Sequence, residues 1–121
     1  LYFYPRDNTP GCTTQAQDFR DEMEGLTAAG WRVFGVSTDS AKSHQRFTAK
    51  HELNFDLIVD TDAQLHRLYR VWKRKQNYGR WFIGCSRSTF VIKPDAVLAW
   101  VSYGVRAKGH VERLMRDLDI G

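Results

Sequence analysis

The sequence predicts an α/β fold: a three-layer sandwich built on a mixed β-sheet. Three observations predict it. Short apolar runs of strand length alternate with segments of helical apolar spacing from Leu1 to Tyr69. Two later strands are joined by Lys93-Pro94-Asp95-Ala96, too short for a parallel crossover, so they form an antiparallel hairpin. A final amphipathic segment closes the chain. The predicted order is β-α-β-α-β-α-β-β-α in one domain spanning residues 1–121.

The elements follow in order. Leu1 to Tyr4 reads as an aromatic strand ended by Pro5, with Arg6-Asp7-Asn8 as a polar turn. Thr9 and Pro10 mark a helix start, a hydroxyl at the N-cap and proline at the first helical position. Ala16, Phe19, Met23 and Leu26 continue it on one face, and Gly30 closes it. Trp31 to Val36 is a strand. Ser37 to Ser40 supplies a loop and cap for a helix over 41–51, with Phe47 in the core. Phe55 to Val59 is a third strand, and Asp60-Thr61-Asp62 caps a short helix carrying Leu65, Leu68 and Tyr69. A polar loop is expected through the 70s to Gly84. Ser88 to Ile92 and Val97 to Tyr103 form the hairpin. The last helix starts near Lys108 and buries Val111, Leu114, Met115 and Leu118. The opening strand needs neighbours, so a further segment is expected upstream of Leu1.

Composition narrows the function. With 42% hydrophobic residues, the 121-residue chain can bury a core. No apolar run reaches the roughly 20 residues that span a bilayer. The net charge of +4 is modest. Cations concentrate between Arg67 and Arg80, interleaved with Tyr69, Trp72 and Tyr78. Such a run can bind single-stranded nucleic acid, but a solvated helix end followed by a loop is the preferred reading, and no nucleic-acid motif accompanies it. Two cysteines are too few for a disulfide scaffold and fit a reducing cytoplasm. No C-x-x-C pair is present and the four histidines are scattered, so no metal site is expected.

Cys12 carries the chemistry. With Thr9 as N-cap it occupies the third helical position, beside unpaired backbone N–H groups and the positive end of the helix dipole. Both favour a thiolate, the nucleophilic form of cysteine. The cap geometry lets the Thr9 hydroxyl point toward Cys12. Pro10 sets the path of the chain, and Gly11 lets a small substrate approach the backbone. A buried cysteine merely filling space remains the alternative on these residues alone.

Pro5, Thr9 and Cys12 match the Pro-x-x-x-Thr-x-x-Cys signature of peroxiredoxins. The stretch from Tyr2 to Ala16 resembles the bacterioferritin-comigratory, or peroxiredoxin Q, subfamily of AhpC/TSA-like proteins. Phe34 to Asp39, Arg87 to Ile92 and Pro94-Asp95 agree in order. The resemblance implies a thioredoxin-like fold lacking its usual opening segment. It implies reduction of hydrogen peroxide and organic hydroperoxides by Cys12, which becomes a sulfenic acid, in antioxidant defence. It places Arg87 beside the Cys12 sulfur, with Thr9 assisting and Pro5 and Gly11 shaping the substrate position. No metal, haem or flavin is required. The implied partners are a peroxide and thioredoxin or another thiol reductant. The implied protein is a cytoplasmic monomer or weak dimer that uses neither nucleic acid nor membrane.

The sequence departs from the subfamily at Gln17, where many members carry a resolving cysteine. Cys85 is the only other thiol. If a strand runs through it, alternation puts it on the same face as Arg87. It is then either a resolving cysteine or a buried residue without a catalytic part. A redox sensor using Cys12 without turnover, and a thioredoxin-fold disulfide oxidoreductase, are the other readings. The missing C-x-x-C argues against the second.

Overall fold

The computed structural model describes residues 1–120. Its centre is a five-stranded mixed sheet. The order of strands is β3 (Asp56–Val59), β2 (Phe34–Ser37), β1 (Tyr2–Phe3), β6 (Ser88–Ile92) and β7 (Leu98–Ser102). β1, β2 and β3 run parallel, and β6 and β7 run antiparallel to their neighbours. The parallel strands are connected through helices and the antiparallel pair through the turn at 93–96, as the connection lengths require.

β1 is short but central: Tyr2 and Phe3 are 1% and 0% exposed, and Tyr4 just after it 1%. Alternation sends Tyr2 and Phe3 into different clusters. Tyr2 and Tyr4 pack with Cys12, Ala16, Phe19 and Phe47. Phe3 packs with Val36, Val71, Cys85 and Phe90. Gly35, paired with Tyr2, is small by necessity: a Cβ there would lie 2.8 Å from Leu57 Cδ2 and 3.0 Å from the Tyr2 ring.

The first helix divides at Glu22 into α1 (Pro10–Asp21) and α2 (Met23–Ala28). Backbone bonds from Glu22 to Asp18 and from Leu26 to Glu22 run through the division, so the expected apolar face survives it, with Ala16, Phe19 and Leu26 buried. α3 (Ala41–His51) has the expected bounds, and Ser40 caps it by accepting from the Ser43 N–H. α4 (Gln64–Leu68) starts under the Asp60 carboxylate, which accepts from the N–H groups of Leu65 and His66. α5 (His110–Asp117) buries Val111 and Leu114.

Two expectations are corrected. The strand expected over Trp31 to Val36 begins at Phe34, while Trp31 and Val33 pack against the core as a lead-in. The polar loop expected through the 70s is a second, two-stranded sheet of β4 (Trp72–Asn77) and β5 (Arg80–Cys85). Tyr78 and Gly79 turn it with φ of 51° and 76°, the mirror-type turn that suits the twist of a hairpin. Its strands are largely exposed, so they lack the apolar alternation that would reveal them.

Candidate active site

Cys12 lies in the first turn of α1, where Thr9 is the N-cap and Pro10 the first helical residue. The first backbone bond of the helix is donated by Thr13 to the Thr9 carbonyl at 2.8 Å. The N–H groups of Gly11 and Cys12 therefore have no intrahelical acceptor. Cys12 is 1% exposed.

Arg87 comes from 75 residues further along the chain. It follows β5 and precedes β6, and its own carbonyl accepts from the Val105 N–H at 2.9 Å. Its Nη2 donates to Cys12 Sγ at 3.3 Å, and its Nη1 donates to Gln15 Oε1 at 2.6 Å. A fixed positive charge thus rests against the sulfur. Gly11 makes room for it: a Cβ there would sit 3.3 Å from Arg87 Nη2 and 3.5 Å from the Ala107 Cβ.

Gln15 is a site residue that sequence reasoning missed. It is wholly buried, three residues after Cys12 on the same helical face. A polar residue at a core-facing helical position was the available signal.

Thr9 occupies the expected position, but its hydroxyl is oriented otherwise. It makes no cap bond and instead donates to the Arg6 carbonyl at 2.8 Å. The tight turn through Asn8, at φ 61°, brings that carbonyl within reach. With its proton so engaged, the Thr9 oxygen offers only acceptor lone pairs. Pro5, half-buried, follows Tyr4, whose N–H donates to the Val36 carbonyl just past β1.

The turn before Thr9 is anchored by a second group that the sequence did not announce. Asp7 is buried and accepts from Tyr4 Oη at 2.6 Å and from Ser43 Oγ at 2.8 Å. His44 Nδ1 lies 2.7 Å from Asp7 Oδ2, and its Nε2 lies 2.9 Å from the Ile58 carbonyl oxygen. Acceptors at both ring nitrogens suit the imidazolium. Burial opposes charge on each partner. It is outweighed by their mutual bond, so His44 is raised above and Asp7 lowered below its ordinary range. Asp39 joins through the Asp7 N–H at 2.8 Å. Asp7, Asp39 and His44 thus converge within 4.8 Å, the one such grouping among the described residues, with their polar atoms bonded to one another.

Cys85 joins a different core cluster from Cys12. It ends β5, and Ser86 and Arg87 lie between strands, so alternation does not carry from one to the other. Its side chain packs among Phe3, Val36, Val71 and Phe90, whereas Cys12 belongs to the cluster beneath Tyr2 and Tyr4. Both cysteines are free thiols. Burial pushes the Cys85 thiol up to about 12, against smaller opposing effects of Lys75 and Arg87, with Cys12 adding to the rise. Gln17 sits one turn beyond Cys12, with Nε2 3.4 Å from His51 Nδ1.

The chain matches known proteins over nearly its whole length. A sequence model of the AhpC/TSA family matches residues 1–101. Peroxiredoxin Bcp of Bacillus subtilis is 43% identical over 118 residues, which cover 98% of this chain and 75% of that protein. Peroxiredoxin Bcp of Xanthomonas campestris pv. campestris is 40% identical over 118 residues, covering 98% and 74%. Among solved structures, a PrxQ mutant of Xylella fastidiosa superposes with a TM-score of 0.93 at 39% identity, covering 98% of this chain and 74% of that one. The bacterioferritin comigratory protein of Xanthomonas campestris, solved in a study of its alkyl peroxide reduction activity, gives 0.91 at 39% identity, covering 98% and 75%.

Proposed function

Because the chain belongs to the AhpC/TSA family and is a thiol peroxidase with a thioredoxin-like fold, we propose that Cys12 is the residue that attacks the peroxide. The observation that carries this is the Arg87 Nη2 contact with Cys12 Sγ at 3.3 Å, in the first turn of α1. A peroxide and a thiol reductant are its substrates. Hydrogen peroxide and organic hydroperoxides are the peroxides we assign.

The residues divide the work as follows. The Cys12 thiolate forms a bond to one peroxide oxygen while the O–O bond breaks. The electron pair leaves on the distal oxygen. Arg87 and the N–H groups of Gly11 and Cys12 stabilise that charge, and the oxygen takes a proton to become water or an alcohol. The Thr9 oxygen accepts a hydrogen bond from the peroxide O–H and so orients the attack. Gln15 fixes the guanidinium plane. Pro5 and Gly11 shape the approach, Pro5 by ending β1 and Gly11 by leaving space beside Arg87. No resident metal or organic cofactor has a part. Cys12 is left as a sulfenic acid.

Two thiols return it to the start. The first displaces water from the sulfenic acid and forms a mixed disulfide, and the second releases Cys12 as a thiol. We assign this to an external reductant, thioredoxin or another thiol, with Cys85 taking no part. The domain, residues 1–121, acts as a cytoplasmic monomer or weak dimer. No helix among the described residues is long and apolar enough to cross a membrane. The test is Cys12→Ser with mass spectrometry of the parent after one equivalent of peroxide. Loss of turnover and a sulfenic acid trapped on Cys12 are expected. Near-normal turnover of Cys12→Ser would overturn the assignment.

A further inference from the structure

Residues 63 to 94 contain eight cations (Arg67, Arg70, Lys73, Arg74, Lys75, Arg80, Arg87 and Lys93) and no acid, twice the net charge of the whole chain. The β4–β5 hairpin stands at the middle of this segment and carries apolar side chains into solvent. Tyr78 is 97% exposed, Trp81 61% and Ile83 60%. The pairing places Arg74 opposite Ile83 and Gln76 opposite Trp81, so these four side chains share one face. That face continues the one on which Trp72 and Cys85 enter the core. A two-stranded ribbon is marginal when bare, and exposed aromatic and aliphatic side chains together mark an interaction surface.

We propose that this hairpin is the docking surface for an acidic dithiol protein, the reductant of Cys12; the proposal rests on the assignment of Cys12 above. Place argues for the reductant. Ser86 N–H donates to the Val71 carbonyl at 2.8 Å and fastens the base of the hairpin to the body. The next residue, Arg87, touches the Cys12 sulfur. Trp81 lies four residues above Cys85, roughly 13 Å along the strand. A partner of about 100 residues has a radius of gyration near 13 Å, so one such protein covers the hairpin and extends past its base at Cys85, two residues before Arg87.

Charge argues for an acidic partner and against a second copy of this chain, which would bring the same cations. A protein fits better than a nucleic acid. Arg74 lies over the Trp81 ring at 5.1 Å and Lys75 over the Phe82 ring at 5.9 Å, so the chain's own cations occupy ring faces on which bases would stack. Ile83 offers an aliphatic contact of the kind protein surfaces use.

The test compares turnover supported by an acidic thioredoxin with turnover supported by dithiothreitol. An Arg74→Glu, Arg80→Glu double variant and a separate Trp81→Ser variant are expected to raise the KM for thioredoxin at least tenfold. Their dithiothreitol-supported rates should equal the parent's, which also shows that they are folded. In the unaltered protein the KM for thioredoxin should rise with ionic strength. An unchanged KM in both variants, or a KM in the parent indifferent to salt, overturns the proposal. So does salt-dependent binding of a single-stranded oligonucleotide that the variants lose while their KM stays put. Dithiothreitol-supported turnover that survives Cys12→Ser would instead defeat the assignment of Cys12, a separate result.

Discussion

Gln15 Oε1 accepts from Arg87 Nη1 at 2.6 Å, and through that bond a side chain of α1 sets the orientation of a guanidinium delivered from 72 residues further along the chain. The same guanidinium uses its other nitrogen on Cys12 Sγ. Nucleophile and positioning residue are thus one helical turn apart, and the cation is held by both.

Arg87→Ala should lower kcat/KM for peroxide at least tenfold with the domain still folded. A placed cation at the leaving oxygen contributes about 2 to 4 kcal/mol to such a barrier. Arg87→Lys should recover little, because a lysine cannot donate in two fixed directions to Gln15 and Cys12 at once. Steady-state kinetics with circular dichroism checks both; an unchanged kcat/KM in Arg87→Ala would show that the cation is structural. Gln15→Ala should give a smaller loss and Gln15→Glu a partial rescue, since a carboxylate also accepts from the guanidinium.

Thr9→Val keeps the shape and removes the oxygen. Since that oxygen donates its proton to the Arg6 carbonyl, its loss frees the turn and deletes an acceptor for the peroxide. The expected outcome is a fall in kcat/KM of roughly tenfold or more. Thr9→Ser, which restores the oxygen, should recover most of the rate. A Val variant as fast as the parent would leave Thr9 with a turn-forming part alone.

The His44–Asp7 pair makes the loop before Thr9 sensitive to pH. His44 is raised above its ordinary 6.5, so its contribution is complete below that value and is lost as pH rises through the raised folded value. Asp7 is lowered below 3.8, so its contribution is present above that value and is lost as pH falls through the lowered one. The pair therefore stabilises most between those limits. Leaving a buried partner unpaired costs about 3 to 5 kcal/mol. His44→Gln should lower Tm strongly near pH 5.5 and progressively less toward pH 9. A Tm difference independent of pH would show that His44 is not held as a cation.

His110 works in the opposite sense. Burial, with Arg113 and Arg87 nearby, pushes it down to about 4, and Thr89 Oγ1 lies 2.8 Å from its Nε2. It is neutral in the folded protein over a range in which the unfolded chain binds a proton. Stability is therefore lost as pH falls from the ordinary 6.5 toward 4. In His110→Gln the acid limb of the Tm–pH curve should be flatter than in the parent; a parallel limb would contradict this.

How much of this the sequence carries depends on the kind of signal. α3 and β6 have the expected bounds, because Ser40 is a working cap and Ser88 to Ile92 is a strand buried almost throughout. Cys12 was legible because its helix start is written locally by Thr9 and Pro10. The hairpin of β4 and β5 was not, since exposed strands have no buried face to impose a period of two. Gln15, His44 and Asp7 were hidden for another reason. Each is a polar residue buried by partners far away in sequence, and only Gln15 carries a local sign, its place on the core-facing side of α1.

The last prediction concerns recycling. Cys12 and Cys85 belong to different core clusters. A disulfide requires Cα atoms within about 7 Å. The first turn of α1 has some freedom to open, because Thr9 spends its hydroxyl on Arg6 and gives the helix no side-chain cap. Cys85 gains nothing from that opening, since burial holds its thiol protonated and a thiol is a poor nucleophile. An external thiol that approaches as the turn opens has no such handicap. Cys85→Ser should therefore retain turnover with thioredoxin and with a small thiol, each within about twofold of the parent, a difference of about 0.4 kcal/mol. Non-reducing mass spectrometry of the peroxide-treated parent should show no Cys12–Cys85 disulfide. If Cys85→Ser loses thioredoxin-supported turnover and its Cys12 advances readily to the sulfinic acid, Cys85 is the resolving cysteine and the one-cysteine cycle is wrong.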